Sequence, residues 1–141
     1  MNSQISRRVR QQIEQTARYR CGYCQTQAAA IGMPLEIDHL LPLSLGGDSK
    51  SDNLWLACPQ CNRHKAAQIA ATDPETGQLV SLFNPRAQNW REHFAWQQNG
   101  LYLAGVSPVG RATIVALHIN NPWVTRARRA WIAAGIHPPK D

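Results

Sequence analysis

Four cysteines, set as Cys21-Gly-Tyr-Cys24 and Cys58-Pro-Gln-Cys61, constrain this chain more than any other feature. Each short knuckle can present two thiolates to one ion, and two knuckles complete a tetrahedron. The pattern therefore predicts one structural zinc on Cys21, Cys24, Cys58 and Cys61. A redox dithiol would need only one C-x-x-C. The N-terminal stretch is polar and arginine-rich, without the apolar core of a secretion signal, so a cytoplasmic protein is expected and disulfides are disfavoured. The 33 residues between the pairs make the zinc an architectural clamp between segments far apart in sequence. Four thiolates leave no open coordination position, so any hydrolytic chemistry must come from other residues.

Hydrophobic patterning places the knuckles among short elements. Gln4 to Tyr19 reads as a helix, with Ile5, Val9, Ile13 and Ala17 four residues apart. Leu35 to His39 alternates like a strand limited by Pro42. Ser44 to Asn53 is a loop, followed by apolar Leu54-Trp55-Leu56-Ala57, and the second knuckle is expected to lead into a helix through Asn62 to about Ala70. Asp73-Pro-Glu-Thr-Gly77 marks a turn and a candidate boundary. Phe94 and Trp96 before Asn99-Gly100, with Leu101 and Leu103 after it, predict a hairpin. Thr113 to Ile119 reads as helical, and Asn121-Pro122 opens a last helix ending at Gly135. At 141 residues the chain can bury one modest core, and no apolar run approaches the roughly 20 residues of a membrane helix.

The charge is +6, and 12 of the 15 basic residues are arginine, whose planar fork suits phosphate. Five arginines fall within residues 1–20, and Arg126, Arg128, Arg129 and Lys140 lie in a stretch, 121–140, that holds no acid. Arg126 and Arg129 share a face of the last helix and are candidate phosphate contacts. Charge permits a nucleic-acid partner without establishing one.

Between and beyond the knuckles lie Glu36-Ile-Asp-His39, Pro42, Gly46-Gly47, Asp52-Asn53-Leu54 and Cys61-Asn62-Arg-His-Lys65. In order and spacing this set resembles the HNH endonucleases, in the branch whose site lies between two zinc knuckles. With the Asp73–Gly77 turn as boundary, residues 73–141 read as a hairpin-plus-helix extension packed on the same core; for residues 1–72 the resemblance implies a ββα-metal (His-Me finger) core and so an α+β fold. It implies His39 as general base, Asp38 and Asn62 as ligands of a catalytic divalent ion, and Asn53 as the brace that orients the histidine. The side chains suit those tasks. Histidine as a residue type takes and gives protons near neutrality, and two oxygen donors with open positions suit Mg²⁺ or Mn²⁺. The third letter of the family name is filled by Asn62. His64 stands about 200° around the helix from it and is read as exposed or as a phosphate contact, whereas Lys65, nearer the Asn62 side, could hold a phosphate. Asp38 and His39 would face opposite sides of an ideal strand, so both reach one site only if the strand bends or ends there.

The extension adds His93 beside Phe94, read as structural, and Trp90, Trp96, Trp123 and Trp131, read as core. The expected function is metal-dependent hydrolysis of DNA, most simply double-stranded DNA. The main rival is a non-catalytic zinc-stapled nucleic-acid-binding module. A zinc-stapled protein-interaction domain comes third, because the arginine clusters fit it less well.

Overall fold

The computed structural model describes residues 5–140. Ser6 caps the first helix, α1 (Arg7–Thr16), by accepting from the Val9 amide. Ile13 is buried, with Ile5 and Val9 packed beside it. Gln4, where the periodicity would start the helix, lies outside the described residues. The helix also stops before Tyr19, because Arg18 and Tyr19 both take φ of 58°, a left-handed conformation that ends helical hydrogen bonding. That reversal delivers the chain to the first knuckle. A short helix, α2 (Ala28–Ile31), follows.

Strand β1 (Glu36–His39) pairs antiparallel with β2 (Leu54–Ala57), Glu36 opposite Ala57 and His39 opposite Leu54. Leu54 and Leu56 are fully covered, and α1 packs against β2. Burying each such leucine stabilises the fold by roughly 1.5–3 kcal/mol. Helix α3 (Pro59–Lys65) starts in the second knuckle and runs through Asn62, but ends five residues before Ala70. Its cap is Cys58, whose sulfur accepts from the Cys61 amide at 3.4 Å, and Pro59 takes the first helical position, where its missing N–H costs nothing. Ala66, with φ 48° and ψ −123°, ends it.

Ala70 belongs instead to a second hairpin, β3 (Ala70–Thr72) with β4 (Leu79–Ser81), and the Asp73–Gly77 turn is its tip. The expected boundary after residue 72 thus falls between two paired strands. A third hairpin joins β5 (Phe94–Gln97) to β6 (Tyr102–Gly105) across the Asn99-Gly100 turn. Helices α4 (Pro108–Ala116), capped by Ser107, and α5 (Pro122–Ala133), capped by Asn121, complete the chain. Helix α4 begins five residues before Thr113, because the Ser107-Pro108 pair supplies a cap and a first-turn proline. The mixture of helices and small antiparallel pairs is an α+β fold. One buried cluster runs from Ile13 and the four cysteines through Leu54 and Leu56 to Phe83, Phe94, Leu103, Leu117 and Ile119.

Two buried charges tie the later elements together. Arg111 donates Nε and Nη2 to the two oxygens of Asp73 at 2.9 and 3.0 Å, a bidentate pair across the hairpin tip. The guanidinium, followed by the Thr76 hydroxyl and the Glu75 amide, holds the Asp73 carboxyl well below the usual carboxylate range. A depressed folded-state value means a contribution to stability that is complete above the unfolded value near pH 4 and lost as pH falls below it. Urea unfolding midpoints at pH 6 and pH 3 should therefore fall further for the wild type than for Asp73→Asn. Equal falls would mean that Asp73 adds nothing to acid sensitivity.

Arg128 faces inward from α5. It donates to Leu101 O, Ile119 O and Asn120 Oδ1 at 2.8–3.1 Å and lies over the Trp96 ring. Trp90 and Trp96 pack against the core as expected, and His93 is held structurally by Ser107 at 2.7 Å. Trp123 corrects the sequence expectation. It is 71 % exposed, because it occupies the outer side of the first turn of α5, with Arg126 over its ring.

Candidate active site and metal centre

The knuckles meet as the spacing requires. Cys21, Cys24, Cys58 and Cys61 are all buried, and their sulfurs lie within 4.8 Å of one another, Cys24 and Cys58 at 3.6 Å. A tetrahedral zinc with Zn–S bonds of about 2.3 Å sets its sulfurs about 3.8 Å apart, so the cluster fits one such ion. Burial pushes the Cys21 thiol up, whereas hydrogen bonds from Cys21, Cys58 and Cys61 bring Cys24 well down. Four thiolates gathered in one buried site repel one another. A bound dication is what makes four tolerable. The first knuckle is fixed by Cys21 N to Thr26 O and by Gly22 N to Leu56 O, both 2.9 Å. The second is fixed by its place at the start of α3.

Strand β1 and helix α3 face each other through two polar pairs. Glu36 and Asp38, two residues apart, share one face of the strand. Asn62 and Lys65, three apart, share one face of the helix. Asn62 Nδ2 donates to Glu36 Oε1 at 2.8 Å, and Lys65 Nζ donates to Asp38 Oδ1 at 3.1 Å and to the His39 carbonyl at 3.1 Å. Tyr23, from the first knuckle, donates its hydroxyl to Asp38 Oδ2 at 2.6 Å. Burial, then the nearby Asp38 charge, raises the Tyr23 phenol well above its ordinary value, so it remains a donor. Asp38 and Lys65 are 3 % and 2 % exposed. The outer pair, Glu36 and Asn62, is half-buried and borders a groove with Pro59, Gln60 and Arg63.

His39, directly after Asp38, is the last residue of β1. Its Nε2 lies 3.0 Å from Ser49 Oγ. Asn53 brackets the intervening loop: its Oδ1 accepts from Leu41 N at 2.9 Å, and its Nδ2 donates to Leu41 O at 3.0 Å and Asp48 O at 2.8 Å. Leu40 N also donates to the Asn53 carbonyl at 2.9 Å. The loop packs so closely here that a Cβ on Gly47 would collide with the Leu41 carbonyl. This explains why glycine stands at that position.

Several site residues expected from sequence therefore lie together, and others do not. Asp38, His39, Asn53 and Asn62 all belong to the β1–β2–α3 unit, but Asp38 and Asn62 are bonded to different partners and not to each other. Lys65 corrects an expectation. Its ammonium is buried on Asp38 and the His39 carbonyl, so it does not present a phosphate contact at the surface. His64 packs against His118 with ring centroids 4.5 Å apart, and burial followed by the charges of His118 and Arg63 lowers its proton affinity. Arg126 and Arg129 are both exposed on α5.

Residues 21–68, about a third of the chain, match the family model for HNH endonucleases. This segment is similar to the HNH endonucleases. Comparison with curated proteins and with solved structures gave no match. The HNH family suggests nuclease activity, and its domains act on nucleic acid. The matched segment holds both knuckles, the β1–β2 hairpin and α3, so all four cysteines and all four HNH-type residues fall inside it. Among the described residues no helix is long and apolar enough to cross a membrane.

Three residues without a role in the sequence pattern touch the site residues expected from it: Glu36 meets Asn62, Tyr23 meets Asp38 and Ser49 meets His39. Glu36 was legible in principle, since it sits two residues before Asp38 and so on the same strand face. Tyr23 and Ser49 carried no signal: one is an unspecified knuckle position and the other an ordinary loop serine, and only the fold brings them to Asp38 and His39.

Proposed function

We propose that this protein is a metal-dependent endonuclease that hydrolyses phosphodiester bonds of double-stranded DNA, with a structural zinc on the four cysteines. The observation that carries the reading is the clamp that Asn53 places across the loop behind His39, inside a segment matched to HNH endonucleases. A nucleic-acid-binding module needs its hairpin but has no need of a histidine held at the end of it. In this reading His39 takes a proton from the attacking water as general base, and Asn53 fixes the backbone on which the imidazole stands.

The oxygen donors on the β1–α3 ladder suit a hard dication. Asn62 Oδ1 has no partner among the described residues, and each Asp38 oxygen accepts from one partner and keeps a further lone pair. Asp38 and Asn62 would hold Mg²⁺ or Mn²⁺, with Tyr23 and Lys65 bracing the carboxylate as outer ligands commonly do. Such an ion supplies charge neutralisation at the phosphate and the departing oxygen. Lys65 already places one positive charge beside Asp38, which is the specific feature that favours the rival reading, a module that binds without cutting. Arg126 and Arg129 would meet the DNA backbone.

Supercoiled plasmid incubated with zinc-loaded protein separates the readings. Nicked or linear product with Mg²⁺ or Mn²⁺, and none with EDTA, is the result expected. DNA binding without cleavage under any dication would replace the nuclease reading with that of the binding module.

A further inference from the structure

A primary amide is a poor anchor unless its orientation is fixed, because its nitrogen end repels the cation that its oxygen end attracts. The Asn62 side chain has one hydrogen bond among the described residues, from Nδ2 to Glu36 Oε1 at 2.8 Å. A carboxylate oxygen accepts and does not donate. Glu36 can therefore be met only by the nitrogen end of Asn62, and the opposite orientation would set two acceptors against each other. The pair consequently leaves Asn62 Oδ1 as the free atom, on a half-buried side chain bordering the groove with Pro59, Gln60 and Arg63.

We infer that Glu36 is a positioning residue that locks the Asn62 amide with its oxygen directed to a divalent cation. The inference rests on the proposed metal-dependent reading and adds to it a residue and a task. Strand and helix fix the pair from both sides. Glu36 is held in register opposite Ala57, directly before Cys58, and Asn62 directly follows Cys61. The cysteine cluster therefore sets the separation of the two side chains. Glu36 acts through Asn62 and is not assigned contact with the cation or with DNA.

The test is Mn²⁺ binding to zinc-loaded protein without DNA, followed through the electron paramagnetic resonance of free Mn²⁺. Loss of an outer hydrogen-bond partner commonly lowers metal affinity roughly 10–100-fold. Glu36→Ala should weaken Mn²⁺ binding by that order. Glu36→Gln, whose amide oxygen still accepts from Asn62 Nδ2, should stay within a few-fold of wild type. The Asn62 side-chain amide proton that meets Glu36 should keep its downfield NMR shift in Glu36→Gln and move upfield in Glu36→Ala. Unchanged zinc content and circular dichroism serve as the control for folding. If Glu36→Gln loses as much affinity as Glu36→Ala, the carboxylate acts by charge or by direct ligation and the inference is wrong. If Asn62→Ala weakens Mn²⁺ binding and Glu36→Ala does not, the positioning role fails while the metal site stands. If Asn62→Ala has no effect, the proposed metal site itself fails.

Discussion

Cys58→Ser should leave the chain without stable tertiary structure and without stoichiometric zinc. Cys58 has two tasks that serine does not combine. Its sulfur lies in the buried group with Cys21, Cys24 and Cys61, and the residue caps α3, accepting from the Cys61 amide. Serine would preserve the cap, since its hydroxyl serves well there, so the substitution isolates the sulfur. Structural zinc sites bind with apparent free energies on the order of 10–16 kcal/mol in small zinc-finger peptides, while whole domains are stable by about 5–15 kcal/mol. Losing a ligand of such a site can therefore remove most of the stability of a chain this size. Helix α1, the β1–β2 hairpin and α3 converge on the cysteines, and the core running to Phe94 and Leu117 adjoins them. Metal analysis and urea unfolding of the purified variant measure the effect. A Cys58→Ser chain as stable as wild type, or a wild type that is folded without zinc, would leave the cluster as ordinary buried thiols.

The same residues show how far the sequence could be read. The knuckles were legible because metal geometry demands two close pairs whatever lies between them. The β1–β2 hairpin and the β5–β6 hairpin were legible because alternating burial writes a period of two into the residues. Element ends were harder. Helix α3 begins at Pro59 because a cysteine sulfur acts as its cap, a task that residue preferences assign to Ser, Thr, Asp and Asn. It ends at Ala66, whose positive φ nothing in its side chain announces. The β3–β4 hairpin was missed for a related reason. Each strand is three residues long, too short for a periodic signal, and the turn between them reads equally well as a linker. At the site, the residue types and their order pointed to the HNH pattern, but side-chain partners did not follow from order. Lys65 stands three residues after Asn62 and was expected to face phosphate. In the fold its ammonium turns under β1 to Asp38, because the strand presents a buried carboxylate there that requires a counter-charge. Trp123 was expected in the core because tryptophan usually is, yet it falls on the outer side of α5.

His39→Ala should abolish most DNA cleavage while sparing the fold. A positioned general base contributes roughly 10²–10⁴-fold to rate, so a loss of that order should appear with little change in DNA affinity. The structure gives the reason to expect a stable variant. The His39 side chain is half-buried and, among the described residues, is bonded to Ser49, whereas the backbone task at this position belongs to the His39 carbonyl, which accepts from Lys65 and is retained in alanine. The loop clamp is equally independent of the imidazole, since the side-chain bonds of Asn53 go to Leu41 and Asp48. His64 provides the matched control. It lies on α3, packs against His118, and has no place in the proposed chemistry.

The measurement that bears most directly on these assignments is a plasmid-nicking time course. Wild type, His39→Ala and His64→Ala would be compared at equal zinc content across a range of Mg²⁺ and Mn²⁺ concentrations. The result expected is cleavage by wild type and His64→Ala at similar rates, with His39→Ala slower by two orders of magnitude or more at every metal concentration. Undiminished cleavage by His39→Ala, with loss in His64→Ala, would place the catalytic base elsewhere and contradict the account.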